Sequence, residues 1–259
     1  MNVSFIGAGN LPWHLAPALD NTDFPVREVY SLNGQNAKAL VERLYKATVK
    51  NSLDFSTSNS RIFVISVSDD AIEEVVNQLV LPSNAILVHT SGSQPLSALA
   101  YSATPNTGVL YPLQTFTKSR KMDFREVPFF LESESDETAK VLTSMAKSLS
   151  KKVQHISSNE RKSLHISAVF ASNFTNHMLS IAKEILLDNR LDFEYLKPLI
   201  VETINKSLSI GPEKAQTGPA RRGDLAVLDK HMEFLSGDEA VAEVYKVISQ
   251  HIVDKYHRD

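Results

Sequence analysis

The stretch VSFIGAGN, residues 3–10, decides the fold of this chain. Its apolar first half predicts a buried strand, and a helical pattern begins soon after the glycine pair, which gives the order strand, tight turn, helix. In a dinucleotide-binding fold the first glycine permits the turn, and the second lets a pyrophosphate approach the helix N-terminus. Gly7 and Gly9 match these positions, although Pro12 occupies the third position of the GxGxxG pattern. The residues predicted to hold the pyrophosphate are Gly7, Ala8, Gly9, Asn10 and Leu11.

Strand and helix signals alternate from this stretch as far as residue 156. Further strands are predicted over 26–32, 61–67, 85–89, 108–113, 127–132 and 152–156, and helices over 37–45, 71–80 and 136–149. The alternation up to residue 89 predicts a parallel sheet with right-handed crossovers, and the strand and helix signals are weaker beyond it. Only helices are predicted after residue 156, over 160–187, 195–210, 225–235 and 238–256. We therefore expect a dinucleotide-binding domain, residues 1–157, followed by an all-α domain, residues 158–259.

The composition excludes several classes of protein. The 259 residues are 42% hydrophobic, with 27 Lys+Arg against 30 Asp+Glu, so the basic surplus of a nucleic-acid-binding protein is missing. The absence of cysteine excludes disulfides and thiol nucleophiles and fits a reducing compartment, so a cytoplasmic location is expected. No signal peptide or apolar run of about 18 residues is present, so no membrane insertion is expected.

Other common site signatures are also missing from the sequence. The eight histidines show neither HxH nor HExxH spacing, so no metal site is expected. No GxSxG or Walker motif is present, which argues against serine-hydrolase and P-loop chemistry.

The end of the second predicted strand bears on the choice of cofactor. A carboxylate at this point would hold the ribose 2′-hydroxyl of NAD and repel the 2′-phosphate of NADP. The chain has Ser31-Leu32-Asn33-Gly34 here, which favours NADP and leaves NAD as the alternative. Ser31 and Asn33 are candidate cofactor contacts. They could equally be the exposed polar residues of a turn that Gly34 closes.

Two further strand ends are polar. Ligands of open α/β sheets lie outside the carboxyl ends of the strands, so these segments are expected beside the nicotinamide. The Ser91 hydroxyl is a candidate for binding a substrate carboxylate or carbonyl, and the alternative is a helix N-cap by Ser91 or Ser93. The predicted cofactor contacts in these segments are Ser66, Val67, Ser68, His89 and Thr90.

A polar stripe crosses the long helix predicted over 160–187. On an ideal helix Ser172 and Asn176 lie within about 20° of His165, and Asn173 lies about 80° away. Buried polar groups require partners, so this stripe faces either a ligand cleft or another polar element in an interhelical network. Histidine has an ordinary pKa of about 6.5, which suits proton transfer at neutral pH.

The segment TGPARRGD, residues 217–224, is the densest polar motif. Its Thr, Gly and Pro predict a fixed turn, and an arginine could bind a carboxylate with two parallel hydrogen bonds. Asp224 could cap the next helix or orient an arginine. The architecture of a helix N-terminus explains Gly218, Pro219 and Asp224 equally well without a substrate.

Six motifs together resemble one known family. They are GAGN at 7–10, SVSDDAI at 66–72, HTSGS at 89–93, YPLQTF at 111–116, LHISAVFASNF at 164–174 and TGPARRGD at 217–224. The family combines a Rossmann-like N-terminal domain with a DUF2520 C-terminal domain. Its members are described as NADP-dependent oxidoreductases, related to pyrroline-5-carboxylate reductase and the F420-dependent NADP oxidoreductases. Leu32 departs from the family, because many relatives have arginine there, and so does Pro12, which replaces a small residue.

The resemblance implies a fold and a site. The expected fold is an α/β Rossmann-like domain followed by an all-α domain of the 6-phosphogluconate dehydrogenase C-terminal type, which binds substrate and forms a homodimer through its helices. The resemblance also implies an interdomain cleft and the residues near it. These residues are His165, Asn173, Thr217, Gly218, Pro219, Arg222, Gly223 and Asp224.

The leading hypothesis is an NAD(P)-dependent oxidoreductase that transfers hydride between a nicotinamide and a small imino, keto or hydroxy acid in that cleft. His165 would donate or orient a proton, and Arg222 would bind the substrate carboxylate. Asn173 and Thr217 would be hydrogen-bond partners, whereas Ser91, Gly218, Pro219 and Asp224 would shape the substrate site. The alternative is a dinucleotide-binding sensor or scaffold without turnover. A helical dimerisation protein with a degenerate Rossmann domain is a third, weaker hypothesis.

Overall fold

An eight-stranded sheet forms the centre of the N-terminal part of the chain. A computed structural model describes residues 1–257. The sheet has the order β3-β2-β1-β4-β5-β6-β7-β8, with strands numbered along the chain. The strands are β1 (Val3–Ile6), β2 (Val26–Tyr30), β3 (Thr48–Lys50), β4 (Ile62–Ile65), β5 (Ile86–His89), β6 (Thr107–Pro112), β7 (Phe129–Glu132) and β8 (Val153–His155).

The first six strands are parallel, as the alternating pattern predicts. The sequence predicts no direction for the last two strands: β7 is antiparallel to β6, and β8 is parallel to β7. Parallel neighbours require a long crossover, usually helical. The segment between β6 and β7 holds only a short 3₁₀ turn, Phe124–Glu126, so the chain returns into the sheet from the edge at which β6 ended.

Helices cover both faces of the sheet. These are α1 (Asn10–Asp20), α2 (Gly34–Val41), α3 (Ile72–Gln78) and α4 (Asp136–Lys147). Successive strand residues face opposite sides: Phe5 belongs to the apolar cluster of α1, α2 and α4, and Ile6 to the cluster of α3. Burial on both faces explains why β1 and β4 are buried along their whole length. The carboxyl ends of these strands are therefore fixed in position by packing on both faces.

The helix predicted over 160–187 consists of three segments. They are α5 (Ser158–Ala168), a π-helical segment (Val169–Phe174) and α6 (Thr175–Asp188). A capping box between Ser157 and Glu160 starts α5.

The chain divides into two compact units between Asn173 and Phe174. The first unit includes α5 because this helix is bound to the sheet. Ser158 Oγ donates to Glu132, the last residue of β7, at 2.8 Å.

The second unit is helical. Its remaining helices are α7 (Lys197–Ile210), α8 (Pro212–Ala215), α9 (Pro219–Arg222), α10 (Leu225–Phe234) and α11 (Glu239–Tyr256). The two four-residue helices, α8 and α9, were not expected from the sequence. Within residues 174–257 the buried apolar residues are Ala220, Leu228 and Ala242, whereas Leu199, Val201, Ile204 and Leu208 of α7 are exposed. No helix in residues 1–257 combines the length and apolarity needed to cross a membrane.

Candidate dinucleotide site and a tyrosine–histidine pair

The two glycines of the β1–α1 turn have different structural roles. Gly7 has φ +111°, and a Cβ there would overlap the carbonyl oxygen of Ser66 after β4, so the fold itself requires glycine. Gly9 is the N-cap of α1, and a Cβ there would meet no atom within 4 Å. No side chain caps the helix at Gly9, and its first turn has no acidic residue. The first N–H groups of α1 therefore fit an anion such as a pyrophosphate.

A cleft of about 670 Å³ runs along the carboxyl edge of the sheet, entirely within the first unit. This position is where open α/β sheets bind ligands. The cleft brings together most residues that the sequence singled out in this half of the chain. They are Gly7, Ala8, Gly9, Asn10, Leu11, Ser31, Ser66, Val67, Ser68, Thr90, Ser91 and His165.

Several lining residues were not anticipated from the sequence. Leu53 and Val75 add apolar surface to the cleft. Tyr111, Gln114 and Phe116 line the cleft from β6 and the segment that follows it. Within residues 1–257 no group of three His, Asp or Glu side chains is placed to hold a metal ion.

Two predicted cofactor contacts, Asn33 and His89, do not line the cleft. Asn33 caps α2, and its side chain accepts a hydrogen bond from Gln35 N at 3.0 Å. This arrangement agrees with the alternative of a polar turn residue.

His89 is fully buried and organises the loop after β5. Its Nδ1 accepts the Ser91 N–H at 3.1 Å, so the proton lies on Nε2, 3.3 Å from the Pro95 carbonyl oxygen. Burial lowers the pKa of His89 to about 4, and the charge of Arg161 lowers it further. His89 is therefore neutral at physiological pH and acts as a loop anchor.

Ser91 lines the cleft, but its hydroxyl is engaged locally. Ser91 Oγ accepts from the backbone N–H of Ser93 at 3.1 Å and of Gln94 at 3.0 Å. These bonds have the pattern of the helix N-cap that was the alternative prediction for Ser91, but they close a turn that does not lead into an α-helix. They fix the backbone of Gly92, which lies between the two serines.

A tyrosine and a histidine meet in front of Gly92. The Tyr111 hydroxyl lies 3.1 Å from Nδ1 of His165, and the two rings pack edge to face. A Cβ at Gly92 would stand 2.5 Å from His165 Nδ1 and 2.7 Å from Tyr111 Cζ. The sequence predicts a role for His165 and none for Tyr111. A tyrosine at the carboxyl end of a buried strand was the signal that could have indicated it.

Arg161, one turn before His165 on α5, is a second residue that the sequence analysis missed. Its guanidinium is buried, forms an ion pair with Glu132 and donates to the Gln94 carbonyl oxygen. Residues four apart lie on the same face of a helix. These bonds therefore fix the turn of α5 that carries His165 against β7 and the loop after β5.

The π-helical segment changes the predicted polar stripe. An ideal π-helix turns by roughly 85° per residue, less than the roughly 100° of an α-helix. With this winding from Val169 onward, Asn173 lies within about 30° of His165 around the helix axis, and Ser172 lies about 60° away. Asn173, and not Ser172, is thus the polar residue that shares a helix face with His165. Its side chain is exposed.

The TGPARRGD motif lies in the second unit, where much of it forms helix ends. Gly218 and Gly223 have positive φ, of +105° and +71°, and Asp224 caps α10. Arg221 lies over the Tyr256 ring at 4.1 Å, whereas Arg222 is exposed. Thr217, Gly218 and Pro219 line an apolar hollow of about 310 Å³ within this unit. A role of the motif in binding substrate stays a prediction.

The fold and the cleft define the class of Rossmann-like proteins with a helical C-terminal region. A family model described as a domain of unknown function, DUF2520, matches residues 127–252. A solved structure from Bacteroides fragilis, described as a "putative NADP oxidoreductase", is 38% identical, covers 98% of each chain and has a TM-score of 0.89. The chain belongs to this DUF2520 family of Rossmann-like proteins. Because the match begins at residue 127, the family domain includes β7, α4 and β8 as well as the helices.

More distant structures share the fold. A protein from Thermotoga maritima is 21% identical, with a TM-score of 0.71 over 99% of this chain and 100% of that chain. A reductive aminase from Aspergillus terreus, solved with NADPH and ethyl-5-oxohexanoate, is 12% identical, with a TM-score of 0.70 over 98% of this chain and 94% of that chain. A search of curated proteins finds no match.

Proposed function

We propose that this protein is a cytoplasmic oxidoreductase that transfers hydride between a nicotinamide dinucleotide and a small imino, keto or hydroxy acid. The observation that carries the proposal is one cleft lined both by an uncapped helix N-terminus at a glycine turn and by His165. The first feature suits a pyrophosphate, and the second is a group that can exchange protons. The description of the Bacteroides fragilis relative supports the same reaction class.

The dinucleotide would be held by the β1–α1 turn and the strand ends. Gly9, Asn10 and Leu11 offer backbone N–H groups at the start of α1. Ser31 lies at the end of β2, where no carboxylate would repel a 2′-phosphate, so NADP is the proposed cofactor and NAD the alternative. When bound, the nicotinamide supplies the hydride chemistry, and the protein supplies orientation and charge.

The substrate would need a proton donor and a carboxylate partner. Reduction of a carbonyl or imine adds one hydride and one proton, and His165 would provide the proton. Asn173 shares its helix face and would hydrogen-bond the substrate. Arg222 would bind the substrate carboxylate, because a guanidinium matches a carboxylate with two parallel hydrogen bonds, and Thr217 would be a hydrogen-bond partner. Ser91, Gly218, Pro219 and Asp224 would shape the substrate site.

We also propose that the protein is a homodimer through its helical region. The exposed apolar residues of α7 argue for this, because soluble monomers rarely leave a continuous apolar surface uncovered. Sedimentation equilibrium tests it: a mass near twice 28.7 kDa is expected. Leu208→Glu should lower that mass, and Lys206→Glu on the same helix is the control.

Two measurements test the enzymatic proposal. Calorimetry with NADPH and NADH gives the affinities, and nucleotide absorbance reports turnover across a panel of imino, keto and hydroxy acids. His165→Asn should keep the NADPH Kd within about threefold and lower kcat by about 10²–10⁴-fold. His177→Asn, an exposed histidine of α6, is the matched control.

The alternatives predict different results from these measurements. NADPH binding without consumption of any panel compound would favour a sensor or scaffold. Failure of both nucleotides to raise the melting temperature at millimolar concentration would favour a degenerate Rossmann domain.

A further inference from the structure

Tyr111 occupies the deeper position of the tyrosine–histidine pair. It stands near the carboxyl end of β6, lines the cleft and is buried, whereas His165 on α5 is half-buried. The tyrosine hydroxyl reaches Nδ1 of the histidine at 3.1 Å. A proton can therefore pass from the solvent-accessible imidazole to the buried phenol through one hydrogen bond.

Three structural elements fix the pair in position. The backbone at Gly92 leaves no room for a Cβ beside either ring. The Arg161–Glu132 ion pair anchors the turn of α5 before His165, and β6 is held between β5 and β7. Because Gly92 has no side chain, both rings can pack directly against the backbone of the loop after β5. A preorganised geometry of this kind is what a proton-transfer site requires.

The surroundings keep the phenol protonated. Burial raises the pKa of Tyr111, Asp69 after β4 raises it too, and Arg161 opposes the rise. Arg161 is itself paired with Glu132, and His89 in the loop after β5 is neutral. A neutral phenol can donate one hydrogen bond and accept another at the same time.

We propose that Tyr111 is a catalytic residue that hands a proton to the substrate and takes its own replacement from His165. The proposal rests on the oxidoreductase function proposed above. In reduction, the O–H bond of Tyr111 breaks, and its proton goes to the substrate oxygen or nitrogen whose carbon accepts the hydride. The proton on Nδ1 of the His165 imidazolium moves to the tyrosine oxygen, and water then reprotonates the imidazole. Oxidation runs the same transfers in reverse.

The relay makes delivery of the proton to the substrate depend on both residues of the pair. Without the tyrosine hydroxyl, His165 has no hydrogen-bonded route to the buried end of the pair, so the transfer to substrate should slow.

Tyr111→Phe tests the relay, and Tyr101→Phe, which alters an 86% exposed tyrosine, is the matched control. The first readout uses protein without nucleotide: ¹⁵N NMR of labelled histidines, with the His165 signals assigned through His165→Asn. Tyr111→Phe should move the Nδ1 resonance of His165, and the control should not. The second readout is the single-turnover rate with a reactive panel compound. Tyr111→Phe should slow it by about 10²-fold or more and keep the NADPH Kd within about threefold.

Gly92→Ala is a second variant that displaces the pair and removes neither side chain. It should reproduce both the NMR change and the loss of rate, whereas Gly237→Ala, where a Cβ meets nothing within 4 Å, should change neither. An unchanged His165 resonance in Tyr111→Phe, or a rate within about threefold of wild type, overturns the relay. A third outcome is that the wild type turns over no panel compound, while the His165 Nδ1 resonance still differs between wild type and Tyr111→Phe. That result would contradict both the proposed function and the catalytic relay. The hydrogen-bonded pair would then have only a structural role.

Discussion

Arg161 and Glu132 form a buried ion pair between the first helix of the helical half and the seventh strand of the sheet. Ser158 Oγ also donates to this carboxylate, and the same guanidinium donates to the Gln94 carbonyl oxygen. Together these bonds tie α5 to β7 and to the loop after β5. They explain why α5 and His165 belong to the compact unit of the sheet.

Breaking this ion pair should cost far more than breaking an exposed one. The side chains of Arg161 and Glu132 are 1% and 17% exposed, whereas those of Arg61 and Glu137 are 40% and 71% exposed. Glu132→Gln strands a buried cation and should lower the free energy of unfolding by about 3–5 kcal/mol. Glu137→Gln should lower it by less than about 1 kcal/mol. Urea unfolding measures both, and equal losses would contradict this account of α5.

The two glycines of the phosphate turn should separate folding from ligand binding. Gly7→Ala places a Cβ against the Ser66 carbonyl at φ +111°, so it should destabilise the protein by at least about 1–3 kcal/mol. Gly9→Ala fills open space and should leave the melting temperature unchanged. It should weaken NADPH binding by about tenfold, or about 1.4 kcal/mol, because the methyl group would occupy the place proposed for the pyrophosphate. Unaltered NADPH affinity in Gly9→Ala would refute the phosphate assignment.

His89 should make the protein sensitive to acid. Its folded pKa of about 4 lies below the ordinary value of 6.5, so the unfolded chain binds the proton more readily between these two pH values. Stability from the neutral histidine is complete above pH 6.5 and is lost as pH falls toward 4, by about 3 kcal/mol in total. Chemical unfolding of wild type and His89→Asn across this range measures the difference. Parallel pH profiles would show that His89 titrates normally.

Leu32 offers a direct test of cofactor preference. It is 96% exposed, follows Ser31 at the end of β2 and lines the cleft. Leu32→Arg adds a guanidinium that can pair with a 2′-phosphate, so the NADPH Kd should fall about tenfold and the NADH Kd should change little. Leu187→Arg, at an exposed leucine of α6, controls for the added charge. An equal increase in affinity for NADPH and NADH would show that the 2′-phosphate does not bind beside residue 32.

The predicted fold was largely correct because its signals are local. Short apolar runs mark β1, β2, β4, β5 and β6 in order. The three-residue edge strand β3 (Thr48–Lys50) has no such run and was not predicted. The reversed direction of β7 and β8 has no such signal, because it depends on how the loop after β6 re-enters the sheet. The π-helical turn at Val169–Phe174 was equally hidden, since apolar periodicity does not distinguish one added residue in a helix.

The candidate site was predicted in part, for a related reason. Glycines and hydroxyl residues at the ends of predicted strands can be recognised in the sequence as candidate ligand contacts. Asn33 and His89 also lie at strand ends, but they serve as a helix cap and a loop anchor. Whether a polar side chain faces the ligand or the backbone depends on its rotamer and neighbours, which strand pattern does not specify.

The sequence by itself determined the glycine turn, the order of strands and helices and the polar carboxyl edge, because each follows from residues adjacent in the chain. Only the tertiary structure decided that Tyr111 meets His165 across 54 residues and that Glu132 meets Arg161 across 29. Such pairs form where the packing of α5 against the sheet brings distant residues together. Their chemistry therefore depends on geometry that no local pattern encodes.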